Sequence, residues 1–174
     1  MRYAGSVLPS AGSNRDSVMS ETTLSQDEVL ALQAQARKLE SNLMAAMDSE
    51  PATASAPLLA ASQALAELQE QLRQHPDIAL PMLERLERGM NRLAGERYRS
   101  GACAHLDQES QQVFIDRFAQ RLTLLDGIGP VSARALFTHG ICDLEQLKAL
   151  KPEALDQIEG LNAATRARIK QNLP

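Results

Sequence analysis

The chain has 174 residues, 44% of them apolar, which suits one domain or a small domain with an attached segment. Aromatics make up only 3%, with no Trp, which argues against a carbohydrate cleft or a base-stacking aromatic platform. A formal net charge of −4 excludes a strongly basic nucleic-acid glue.

Ala and Leu dominate, Val and Ile are scarce, and Pro and Gly cluster, so the composition predicts an all-α protein. Cys103 and Cys142 are too few for a disulfide framework and fit a reducing compartment. No apolar run is long enough for a membrane span. The N-terminus lacks the apolar core of a signal peptide, and Met19-Ser20-Glu21 reads like a translation start. A cytoplasmic protein without membrane contact is expected. Charge is unevenly placed: residues 1–110 hold 10 Lys and Arg against 15 Asp and Glu (−5), and residues 111–174 hold 8 against 7 (+1). This predicts different roles for the two parts.

Residues 1–24 are rich in Ser, Gly and Asn without periodicity and are expected as a disordered arm. Residues 25–99 are expected as helical segments. Ser25-Gln26-Asp27-Glu28 matches a capping box, in which Ser and Glu side chains satisfy orphan N–H groups at a helix start. Val29, Leu32, Ala36, Leu39 and Leu43 then define one stripe of a helix to about Met47. The small residues and two prolines of residues 48–57 predict a linker. Leu58, Ala61, Leu65, Leu68 and Leu72 form a second stripe, ending at His75-Pro76, where His75 is expected to cap a helix rather than catalyse. Leu83, Leu86, Met90 and Leu93 form a third, with Pro81 in its first turn and Gly95 near its end. Such short a/d seams suit either an antiparallel bundle or a coiled coil that self-associates or takes a protein partner through residues 25–95. Around the third stripe, Glu84, Arg85, Glu87, Arg88, Arg92 and Glu96 predict a solvated mixed-sign face, and Arg97-Tyr98-Arg99 offers a weak phosphate contact. Ser100-Gly101-Ala102 breaks the pattern and is placed as a domain boundary, with a C-terminal unit over residues 107–174.

That unit opens with a helix from Asp107 to about Thr123, its inward face Phe114, Phe118, Leu122 and Leu125. Leu125-Asp126-Gly127-Ile128-Gly129-Pro130 follows. Two glycines around one apolar residue allow a tight reversal, Ile128 plugs the core, and Pro130 suits a first helical position. A degenerate copy lies 33 residues later, with Gly160 for Gly127, Leu161 for Ile128, Asn162 for Gly129, Arg166 for Ala133 and Ile169 for Leu136. Asn162 is expected to take the left-handed backbone that Asn tolerates best after Gly. Gly140-Ile141 ends one helix, Asp143 to Leu147 makes a connector, and Lys151-Pro152-Glu153 opens another helix.

Residues 118–173 thus resemble a tandem helix-hairpin-helix domain, with Gly127-Ile128-Gly129-Pro130, Ala133, Leu136, Gly140-Ile141, Leu144 and Leu147 at the family's positions. The resemblance implies a compact domain of about five short helices that holds DNA backbone without reading sequence, through hairpin N–H groups and helix N-termini. Carried onto this chain it implies contacts by Gly127, Gly129, Val131 and Ser132, then Gly160, Asn162, Ala164 and Thr165. Arg134, Arg166, Arg168 and Lys170 supply charge. Val131 stands where DNA-binding relatives carry Lys or Arg, and Asp126 and Glu159 put a carboxylate before each hairpin. Binding to double-stranded or branched DNA is therefore expected to be weak and salt-sensitive.

No catalytic constellation emerges, so a non-enzyme is expected. Gly127-Ile128-Gly129 lacks the preceding strand of a dinucleotide loop. Cys103-Ala104-His105 with His139-Gly140-Ile141-Cys142 has no usual zinc spacing, and neither metal nor cofactor is expected. Two functions remain: a DNA-backbone-binding accessory factor, or a protein-interaction adaptor that uses the helical stripes and the hairpin domain as a scaffold without touching DNA.

Overall fold

The computed structural model describes residues 24–75 and 80–172. Residues 1–23 of the expected arm, and Pro76 at the expected helix stop, lie outside them. Among the described residues the chain is all-α: α1 (Gln26–Asp48), α2 (Ser55–Arg73), α3 (Pro81–Arg99), α4 (Gln108–Ala119), α5 (Pro130–Thr138), α6 (Leu144–Lys148), α7 (Pro152–Asp156) and α8 (Ala163–Asn172). Two 3-10 turns, Pro51–Thr53 and Gln120–Leu124, complete the order.

Helix α1 starts on its capping box: the Glu28 N–H donates to Ser25 Oγ at 3.2 Å and the Ser25 N–H to Glu28 Oε2 at 2.7 Å. Its inward stripe differs from the expected one by one position. Ala36 is exposed, while Gln35 is half-buried and donates to Glu67 of α2. Lys38 reaches the same carboxylate, which its neighbours hold below the usual Glu range, Lys38 first and then Gln35 and Gln63. A polar contact thus sits inside an apolar seam. The linker is shorter than the prolines suggest, because Pro57 lies in the first turn of α2, where a missing N–H costs no intrahelical bond. Helices α1 and α2 therefore form a tight antiparallel hairpin.

The stripe Leu58, Ala61, Leu65 and Leu68 is buried, and Leu32, Leu43, Leu72, Leu83, Leu86 and Leu93 pack against the same core. The seams close on one another within the chain, the bundle alternative of the two that the sequence leaves open. The Ser100–Ala102 break is a helix stop across which that core continues. Gly101 takes φ +94°, Ala102 N–H donates to Arg97 O (2.9 Å) and Gly101 N–H to Tyr98 O (3.0 Å), a Schellman ending. Helix α3 then packs directly on the C-terminal unit. Tyr98 meets Phe114 and Phe137 at centroid distances of 6.4 and 5.8 Å, and Phe114 meets Phe118 at 4.7 Å.

The charged face of α3 is not simply solvated. Arg92 bonds Asp143, the N-cap of α6, and reaches Glu145 at 2.8 Å, as Arg88 also does. Glu87 pairs with Arg121. Of Arg97, Tyr98 and Arg99, two are engaged within the fold: Arg97 donates to Met47 O at 2.8 Å and Tyr98 is in the aromatic cluster, while Arg99 is exposed and lies over Gly140. The helix expected to about Thr123 ends at Ala119 and tightens into the 3-10 turn Gln120–Leu124. Asp107 caps its start, accepting from Ser110 N–H at 2.7 Å. The expected connector after Cys142 is helical, as α6.

Gly95 lies inside α3 where the helix touches Cys142: a Cβ there would stand 2.4 Å from Cys142 Sγ. Helix propensity alone makes Gly→Ala favourable by about 1 kcal/mol. The contact reverses the sign, so Gly95→Ala is expected to destabilise the protein by about 1–3 kcal/mol, as overpacking does. In a double-mutant cycle by urea denaturation, Cys142→Ala should relieve that cost. An additive cycle would show that the two sites do not touch.

Asp143 is buried, which opposes its charge, but the Arg92 hydrogen bond and the Gln146 N–H outweigh burial and hold its carboxyl below the ordinary value. A depressed folded pKa stabilises the protein above the unfolded pKa and is lost as pH falls through the folded value. Asp143→Asn is expected to lower stability at pH 7 and flatten the acid limb of the stability–pH curve below about pH 4. Denaturation midpoints between pH 2 and 7 check this.

Candidate nucleic-acid interface

Each hairpin turns on a glycine with positive φ. Gly127 (φ +79°) closes the reversal between the Gln120–Leu124 turn and α5, with Ile128 N–H donating to Leu125 O at 3.1 Å. Gly160 (φ +84°) does the same between α7 and α8. Ile128 and Leu161 are buried plugs, 5% exposed each. The next pair departs from the sequence expectation. No non-glycine among the described residues has positive φ, so Asn162 is not left-handed, and its counterpart Gly129 sits at φ −84°, ψ 173° as the N-cap of α5. Asn162 earns its place otherwise: its Oδ1 accepts the Thr165 N–H at 2.8 Å. Asn is thus chosen here as a cap, a role in which it ranks among the best residues.

The two copies meet face to face. Ser132 and Thr165 occupy matching places in the 33-residue repeat, are both buried, and their hydroxyls lie 3.5 Å apart. The packing around the glycines follows the same exchange. A Cβ on Gly127 would stand 2.7 Å from Arg168 Cδ, and one on Gly160 would stand 3.1 Å from Ala135 Cβ. Arg168 and Ala135 are themselves repeat mates. Each hairpin is therefore covered by the helix that follows the other.

This arrangement sorts the sequence-predicted contacts. Gly127, Gly129, Val131 and Arg168 lie at the first hairpin, where Gly127, Gly129, Asp126 and Arg168 line one shallow depression. No side chain caps α5, Pro130 has no N–H, and the N–H groups of Val131 and Ser132 have no partner among the described residues. Gly160, Asn162 and Ala164 are exposed at the second hairpin, but there Asn162 already occupies the Thr165 N–H. The hydroxyls of Ser132 and Thr165 face each other in the interior rather than solvent.

Three of the four expected cations are engaged within the chain. Arg134 makes a bidentate pair with Asp116 at 2.5 and 2.9 Å. Lys170 holds Asp156 at 2.8 and 2.9 Å. Arg166, in place of the small Ala133, folds back so that its guanidinium donates to Ile158 O at 2.8 Å, with its Nε buried and unpaired. Arg168 has no ion pair among the described residues. Asp116 is the partner that sequence reading missed, and only its 18-residue spacing from Arg134, through a turn of uncertain direction, could have hinted at it.

Elsewhere the chemistry-bearing residues are dispersed. Among the described residues no three His, Cys, Asp or Glu side chains gather as metal ligands. Burial pushes the Cys103 and Cys142 thiols up to about 11. The His139 ring Nδ1 lies 2.8 Å from Ala135 O. No helix among the described residues is long and apolar enough to cross a membrane.

At Gly127 a β-branched residue meets both backbone strain and Arg168. Gly127→Val is expected to destabilise the protein by about 2 kcal/mol, the scale of one residue forced into a sparsely populated region. Thermal denaturation checks it, and an unchanged Tm would contradict the turn described. No curated protein and no solved structure matches the chain. Residues 119–173 match a family described as the SAM-like helix-hairpin-helix tandem, and with the paired turns above they form a tandem helix-hairpin-helix domain of that family.

Proposed function

We propose that the protein is a non-enzymatic, cytoplasmic accessory factor that contacts DNA backbone through its first hairpin alone. A helix-hairpin-helix tandem is a nucleic-acid-associated fold. The observation that carries the reading is the uncapped N-terminus of α5 beside Arg168. The Val131 and Ser132 N–H groups have no partner among the described residues, and Arg168, which has no ion pair among them, lines the depression at the turn just before that helix. Helix N-termini favour phosphate for this reason. The second hairpin, capped by its own Asn162, contributes the cation instead of a second phosphate site.

Asp126 lines the same depression and offsets about one charge, so affinity is modest. Burial raises both thiols to about 11, which weighs against a nucleophilic cysteine. A protein partner on the hairpin is the second reading, favoured by Leu124 and Val131, which are 79% and 67% exposed on either side of the turn.

Fluorescence anisotropy of duplex and branched DNA against the full chain tests the proposal. One or two phosphate contacts predict a log K against log salt slope of about −1 to −2. Arg168→Glu should abolish binding at low salt. Arg37→Glu, on the exposed face of α1, should leave it unchanged. A folded protein that binds no DNA at low salt would overturn the reading and move the hairpin to the protein-docking one.

A further inference from the structure

A groove of about 350 Å³ lies between α2, α3 and the Gln120–Leu124 turn, within the range of small-molecule sites. Its floor holds Asn91, in the middle of α3. Asn is a poor residue for a helix interior, because its amide competes with the backbone for hydrogen bonds. Here it is also 5% exposed, and its side chain lines the groove, within reach of a guest there.

The walls specify the guest. Arg73, Arg117 and Arg121 line the groove against one carboxylate, Glu87. Arg117 spends Nε and Nη2 on Ser62 Oγ and O, at 2.5 and 2.8 Å, leaving Nη1. Arg121 spends Nη1 on Glu87. Arg73 pairs with Glu70 and Arg121 with Glu87, so Arg117 is the one lining guanidinium with no ion pair among the described residues, and it shares the groove with the Asn91 amide. Guanidinium groups favour phosphate because several N–H donors match its oxygens.

We propose that this groove binds the phosphate group of a small molecule, held by Asn91, Arg117 and Arg121. The proposal does not rest on the hairpin reading. Glu87 sets the affinity, since it competes with the guest for Arg121.

Pyrophosphate is the probe. The full chain, labelled with 15N, is titrated with it at constant ionic strength, and the Asn91 side-chain amide signals are followed. They should shift and saturate. Asn91→Leu, which keeps the size, and Arg121→Gln should each weaken binding about tenfold, the scale of one charge-assisted hydrogen bond. Glu87→Gln should tighten it, and Arg168→Glu should leave it unchanged. Shifts that never saturate, or equal affinity in the Asn91 and Arg121 variants, would overturn the proposal. If Asn91→Leu fails to fold, the wild-type titration and Arg121→Gln decide. Duplex DNA provides the last arm: binding lost in Asn91→Leu and Arg121→Gln alongside pyrophosphate binding would assign the groove to nucleic-acid backbone and overturn the small-molecule assignment. DNA binding retained in both variants supports it.

Discussion

The chain owns five aromatic side chains, and four of them meet in one place. Tyr98 at the end of α3, Phe114 and Phe118 on α4, and Phe137 on α5 stack and tilt against one another over centroid distances of 4.7 to 6.5 Å. Aromatic pairs of this kind add about 0.5–1.5 kcal/mol beyond the area they bury. Their larger consequence is architectural. They fasten the last turn of a bundle helix to the first hairpin, so the helices and the tandem share one core. The Gly95 contact with Cys142 and the Arg92 bond to Asp143 both require the close approach that the cluster sets. That junction gives α3 its partners in the C-terminal unit, while Leu83, Leu86 and Leu93 pack on the core shared with α2.

Given such a junction, the charge of α3 has to be matched at the surface it approaches. This is why the acidic first turn of α6 and the basic face of α3 pair, and why most hairpin cations are also tied. Arg134 anchors α5 to α4 and Lys170 anchors α8 to α7, each at the expense of charge that a nucleic acid could have used. Such exposed pairs stabilise little individually. They still occupy two of the four hairpin cations; among the described residues Arg166 and Arg168 have no acidic partner, and Arg166 spends its guanidinium on the Ile158 carbonyl.

What the sequence made legible follows rules of short range. The capping box, Pro at first helical positions, the Gly140 ending and the 33-residue repeat depend on residues within a few positions of each other or on self-similarity, and each appears in the structure where those rules put it. Partnerships across the fold were not legible. Gln35 replaces Ala36 on the inward face because Glu67 of α2 is there to receive it, a fact the α1 sequence does not contain. Asn162 matched Gly129 by alignment, yet the property it was matched on, a left-handed backbone, is used by neither residue. The same alignment did hold information that went unread: Ser132 and Thr165, one repeat apart and both hydroxyl-bearing, are the pair that touches across the approximate twofold axis.

The pseudo-symmetry also explains why the two hairpins diverge. In a tandem whose copies cover each other, whatever stands eight residues after one turn glycine lies over the other glycine. Ala135 leaves Gly160 beside a small methyl group, whereas Arg168 lays a long side chain over Gly127. The second hairpin closes its N-terminus with Asn162, while its Arg168 lies over the first. The first can lack a side-chain cap because Gly129 and Pro130 expose its donors next to that borrowed charge. One copy has kept the donors and the other the guanidinium. The substitutions that look like decay in the second copy are therefore consistent with a division of labour between them.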